Sequence, residues 1–70
     1  METNVFIIRL NYIRRFMENV SEYHSKDTTI SRAKELAIIL EEEINVITDI
    51  FGVSQDILSQ LYVQAKRSAK

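Results

Sequence analysis

The chain has no cysteine, no proline, no tryptophan and a single glycine. Without cysteine there is no disulfide stapling, no zinc–thiolate site and no thiol catalysis, a usage that fits a reducing cytoplasm. Without proline, the one glycine becomes the sharpest stop signal in the chain: Gly52, in the run Phe51-Gly52-Val53-Ser54-Gln55. Histidine occurs once, and no carboxylate near His24 in sequence is placed to orient it as a base. Its expected position is solvated, at a helix C-terminus whose dipole favours a cation. No glycine-rich loop cradles phosphate and no serine occupies a nucleophile elbow. Glu41-Glu42-Glu43 has the composition of a metal cluster but not its geometry. Successive helical residues point about 100° apart, and no Glu-x-x-His pair supplies a second ligand type. The chain is therefore expected not to be an enzyme, with no catalytic or metal-binding residues and no cofactor. Formal net charge is −1, which exerts no global pull toward nucleic acid or an anionic membrane. The apolar run Val5 to Ile8 is too short for a signal peptide or a membrane span, so a cytoplasmic location is expected.

Hydrophobic residues make up 46% of the 70 positions, and Leu, Ile, Val and Phe recur with helical period, so the chain folds. One domain over 1–70 is the most that this length supports. A core so small, with neither disulfide nor metal, is expected to gain support from oligomerisation, most simply as a homodimer.

Three helices follow from the periodicity, at about 3–24, 30–51 and 54–67. The first carries Phe6, Leu10, Ile13, Met17 and Val20 at alternating spacings of four and three, flanked by Val5, Tyr12, Phe16 and Tyr23. Arg14, Arg15, Glu18 and Glu22 fall largely on the opposite side. The polar stretch His24 to Thr29 then breaks the pattern, and a loop that short joins antiparallel neighbours. The second helix has two apolar seams: Ala33, Ala37, Leu40, Ile44, Ile47 and Phe51, and Leu36, Ile39, Glu43, Val46 and Ile50. An arc that wide predicts a central helix touching two neighbours. Glu43 is its one polar member. The expected reading is an edge position whose carboxylate snorkels to water, the sharper one a buried carboxylate that fixes register. A hairpin turning near Asp27 would bring Glu41 and Glu42 level with Arg14 and Arg15.

Gly52 is suited to the left-handed residue that closes a helix, and Ser54 to the N-cap of the next. Val53 and Leu58 are then spaced for a hydrophobic staple. The third helix carries Ile57, Leu58, Leu61, Tyr62 and Ala65, and its basic end (Lys66, Arg67, Lys70) complements the helix dipole. The predicted fold is all-α, an antiparallel hairpin plus a shorter third helix.

The stretch Ile44 to Val63, with Gly52 as turn glycine and apolar Ile47, Phe51, Val53, Leu58 and Leu61, resembles the helix-turn-helix of phage-repressor-like DNA-binding proteins. That resemblance implies a DNA-binding regulator in which the helix from Ser54 reads bases, with Ser54, Gln55, Ser59 and Gln60 as the reading residues. Three departures count against it. Thr48 stands where the motif has a small alanine, helix two shows no break before the motif, and the reading face has no Lys or Arg for phosphates. Ser54-Gln55-Asp56 is also similar to the Ser-Gln-Glu-Leu-Asp signature of small helical-hairpin phosphatases, but Ile57-Leu58 follows instead of Leu-Asp and the preceding loop is missing.

The expected function is that of a small interaction module binding a protein partner, a second copy included. A third helix shorter than the hairpin should leave the hairpin tip uncovered, which marks Phe16, Val20, Tyr23 and Leu36 as the expected contact surface.

Overall fold

The computed structural model describes residues 2–69, with side chains from Asn4 onward. It is an all-α three-helix bundle: α1 (Glu2–Tyr23), α2 (Ile30–Asn45), a π-helical segment (Val46–Ile50) that continues α2, and α3 (Gln55–Ser68). Lys70, grouped above with Lys66 and Arg67, lies outside the described residues.

The helix boundaries from Tyr23 onward have local causes. At the end of α1 the His24 N–H still reaches Val20 C=O, but Ser25 N–H turns back to Glu22 C=O and Thr28 Oγ1 donates to the same carbonyl. Thr29 then caps α2, its side chain accepting from Arg32 N–H at 3.1 Å. Ser54 does the same for α3 by accepting from Ile57 N–H at 3.3 Å. Lys66 and Arg67 occupy the last turn of α3, where carbonyl ends point outward.

The turn between α2 and α3 departs from the expected plain α-helix ending at Phe51. From Val46 the winding widens, so that Phe51 N–H donates to Val46 C=O, five residues back. Thr48 sits within this segment and donates its hydroxyl to Ile44 C=O at 2.7 Å, a back-bond that competes with regular winding. Gly52 then takes φ +68, and Val53 N–H closes the end on Ile47 C=O at 3.1 Å. Arg9 adds a cap from another helix, donating to Phe51 C=O at 3.5 Å. Val53 and Leu58 both enter the core, in the positions of the staple.

Packing corrects the expectation that α2 is central. Both α2 and α3 lie against α1 and make little direct contact with each other. Phe16 and Val20 of α1 are fully buried, and around them gather Leu40 and Ile47 from the second helical run and Leu58 and Ala65 from α3. Leu36 is fully buried as well. The expected uncovered tip is therefore absent: of Phe16, Val20, Tyr23 and Leu36, only Tyr23 stays exposed. The reason is register. Tyr12 meets Phe51 edge-to-face at 5.3 Å, so the Gly52 turn stands level with the second third of α1 and not with its start. Starting from there, α3 reaches the tip, where Ser68 shares a shallow surface depression with Ser21 and Ser25. The part of α1 that stays uncovered is its N-terminal end. Accordingly the long axis of the molecule is 40 Å, more than the ~33 Å that the 22 residues of α1 span alone.

Glu43 corrects the second expectation. It is 6% exposed, and Asn19 Nδ2 donates to its Oε1 at 3.0 Å. A carboxylate held by one partner tolerates little sliding, because any other register leaves it buried and unpaired. Arg15 and Glu42 do line one depression between α1 and α2, as the hairpin register implies, but they form no ion pair.

A β-carbon added at Gly52 would meet no atom within 4 Å, so substitution there tests the backbone alone. Gly52→Val is expected to cost about 1–2 kcal/mol in chemical denaturation, since β-branched residues resist the left-handed region, and Gly52→Asn distinctly less. Equal small losses would show that the turn is not left-handed in solution.

Candidate interaction surfaces

Because α2 and α3 diverge over α1, an open apolar cleft runs between them. Its half nearest the Gly52 turn has a volume of about 410 Å³, with Phe16 as floor, Ile44 on the α2 side, and Gln55, Leu58, Ser59, Tyr62 and Val63 on the α3 side. It continues toward the hairpin tip as a further space of about 300 Å³ bounded by Tyr23, Ala37, Leu40, Glu41, Asn45 and, again, Ile44 and Tyr62. Tyr62 is anchored from below. Its hydroxyl lies 2.5 Å from His24 Nε2, and the two rings meet edge-on at 5.4 Å. Tyr23 also meets His24 edge-on, at 5.1 Å. His24 is thus half-buried among tyrosines and not the solvated residue expected from sequence. The pair holds the middle of α3 to the end of α1.

The second surface is the overhanging start of α1. Val5, Phe6, Ile7 and Ile8 are consecutive, so they point to all sides of the helix, and each is about half exposed, as is Leu10. A helix that is apolar all round is ordinarily buried on all sides. Arg9 marks where it leaves the bundle: besides capping Phe51, its guanidinium lies over the Phe6 ring at 5.9 Å. Nearby on the same end of the molecule, Ile50 and Ile57 are exposed too.

Electrostatics concentrate at the opposite end. Arg32 Nε and Nη2 bond the two oxygens of Glu22 at 2.7 and 3.1 Å, and Nη1 reaches Glu35 at 3.2 Å. This fork ties the end of α1 to the first turn of α2. The hydrogen bond from Arg32 holds the Glu22 carboxyl below its ordinary pKa, and the two carboxylates raise that of Arg32. Among the described residues these are the only ion pairs.

The residues singled out from the helix-turn-helix resemblance fall on two faces of α3. Gln55 and Ser59 form part of the cleft wall, while Ser59 and Gln60 border a separate depression that ends at Arg67 and Ser68. Ser54 commits its oxygen to the α3 cap. Sequence reasoning missed Asn19 as the partner of Glu43, the His24–Tyr62 link, and Ile44 and Val63 as cleft walls. The overhang was missed as well: a third helix expected to leave the tip uncovered was expected to cover the start of α1, where Val5 to Ile8 and Leu10 are about half exposed. Among the described residues no group of three or more histidine and acidic side chains converges on a point where a metal could sit, and no helix is long and apolar enough to cross a membrane. Comparison with protein-family models, curated proteins and solved structures finds no match.

A Glu22 pKa lowered by folding contributes stability above the unfolded pKa, and that contribution is lost as pH falls through the folded value. Glu22→Gln should therefore lower the melting temperature slightly near neutral pH, with the gap to the parent closing in acid below the ordinary carboxylate range. A gap that stays constant with pH would show that the fork contributes nothing through charge.

Proposed function

We propose that the chain is a non-enzymatic helical interaction module that works by binding a protein through exposed apolar helix surface, and that it self-associates. One observation carries this: among the described residues more large apolar side chains are exposed than are buried, and most of them lie at the start of α1, at the Gly52 end or along the cleft. Scattered exposed apolar residues are ordinary on any surface, whereas a contiguous apolar segment and an apolar cleft on one small bundle favour contact with another protein. The limited core supports the same function, because a bundle of this size gains stability by burying surface against a partner. A near-zero net charge favours association over mutual repulsion.

The DNA-binding alternative requires cations where phosphates would lie. The exposed start of α3 offers Gln55, Asp56, Ser59 and Gln60, and its only cations, Lys66 and Arg67, come at the far end. Two measurements test the function together: mass by light scattering over a concentration series, and duplex-DNA binding by fluorescence anisotropy at physiological salt. The expected outcome is a mass that rises above the monomer with concentration and no duplex binding. A strict monomer with sub-micromolar, salt-sensitive duplex binding that is lost in Gln55→Ala would overturn it.

A further inference from the structure

The bundle carries an apolar projection and an apolar recess on the same chain, and neither is occupied by the chain itself. From this juxtaposition we infer that the partner is a second copy, and that the overhanging N-terminal turns of α1 in each copy lie in the α2/α3 cleft of the other. The inference rests on the interaction-module function above and names its occupant.

Shape supports it first. The overhang from Glu2 to Ile8 is about 10 Å of helix, and the cleft wall from Gln55 to Val63 is about 13 Å, at 1.5 Å per residue. The cleft is flanked by two helices over a third, so a helix laid along it meets Ile44 on one side, α3 on the other and Phe16 beneath. Such cover is what Val5, Phe6, Ile7 and Ile8 lack, because they point in every direction around α1. A flat partner would cover one side and leave Ile7 or Phe6 in water.

Topology supports it next. The overhang leaves the bundle at the Gly52 end, and the larger part of the cleft begins at that end, at Gln55. Two copies set head to head with antiparallel axes therefore bring each overhang alongside the other body. In each body the inserted turns supply the missing fourth helix next to α2 and α3. A projection and a recess that differ must either close reciprocally around a two-fold axis or propagate from copy to copy. Reciprocal insertion satisfies both recesses with two chains and leaves neither end open.

Charge is consistent with this approach. Asp49 and Asp56 lie at the Gly52 end with Arg9, and none of the three is in an ion pair within its own chain among the described residues. Head-to-head packing places the Arg9 of each copy near the acids of the other. Ile50 and Ile57, exposed on the same end, extend the buried area beyond the inserted turns.

The test uses a projection variant, Phe6→Glu, and a recess variant, Val63→Glu. Both positions are about half exposed, so helical circular dichroism should stay close to the parent. Each variant alone is expected to be monomeric by light scattering at a concentration where the parent is dimeric. Mixed in equal amounts they should associate again, more weakly than the parent. The Val63→Glu chain still has its projection and the Phe6→Glu chain still has its recess, so one of the two insertions is intact. As a second measurement, Asn4→Cys carrying a spin label is mixed with unlabelled isotope-enriched chain, and should broaden the amide signals of Ile44, Ser59 and Val63 more than those of Arg32 and Leu36. A dimer that survives Val63→Glu but not Phe6→Glu would show that the overhangs pair with each other, and would overturn the insertion while leaving the interaction-module function standing. A mixture that stays monomeric overturns it too, as does a parent mass that grows past two copies. A parent that stays monomeric at every concentration and binds anionic phosphatidylcholine–phosphatidylserine vesicles through Phe6 would overturn both in favour of a lipid surface.

Discussion

Burial of Phe16 and Val20 on one face of α1 is the interaction on which the rest of the structure depends. Both side chains are fully enclosed, and the buried residues clustered with them come from helical runs that pack on α1 far more than on each other. α2 contributes Leu40, the π-helical segment Ile47, and α3 Leu58 and Ala65. Removing either α1 residue would not open one helix pair but would take the common floor from under two. In a bundle this small, a floor shared by two contacts is what makes folding cooperative.

Register is set along that floor by polar groups that have one good solution each. Asn19 satisfies the buried Glu43, Arg32 grips Glu22 at the tip, and Arg9 caps Phe51 at the other end. Together they hold the second helical run level with the middle and end of α1. The consequence is the overhang. Chain that could have been covered by α2 is left projecting, while α3, starting later along α1, is free to reach the tip and link Tyr62 to His24. The same divergence that lets α2 and α3 share one floor leaves the cleft between them. Projection and recess are thus two results of a single stagger.

Much of this was legible from the residues. The hairpin, the cap at Ser54, the left-handed Gly52 and the Val53–Leu58 staple positions all rest on local chemistry, and all are present. The stagger was not legible, because it depends on Asn19 meeting Glu43 across 24 positions and on the π winding after Asn45, which advances less per residue along the axis than α winding. Neither has a local signature. The identity of the central helix was misjudged for a related reason. The two apolar seams of α2 announce two neighbours, but the buried stripe takes Leu36 and Glu43 from one and Leu40 and Ile47 from the other, while Ala37 and Ile44 face the open cleft. The candidate surface shifted with it, from the tip residues Phe16, Val20 and Leu36, now core, to the opposite end and the cleft, with Tyr23 alone retained at its rim.

Residue-resolved amide hydrogen exchange on the whole chain, repeated from dilute to concentrated solution, tests the dependence on α1 most directly. The amides of Phe16 and Val20 should be the slowest to exchange at every concentration, because only global unfolding exposes them. The amides of Phe6 to Ile8 should exchange fast when dilute and become protected as concentration rises. The structure described here would be contradicted if Leu36 and Leu40 outlast Phe16 and Val20, or if the start of α1 is equally protected at all concentrations.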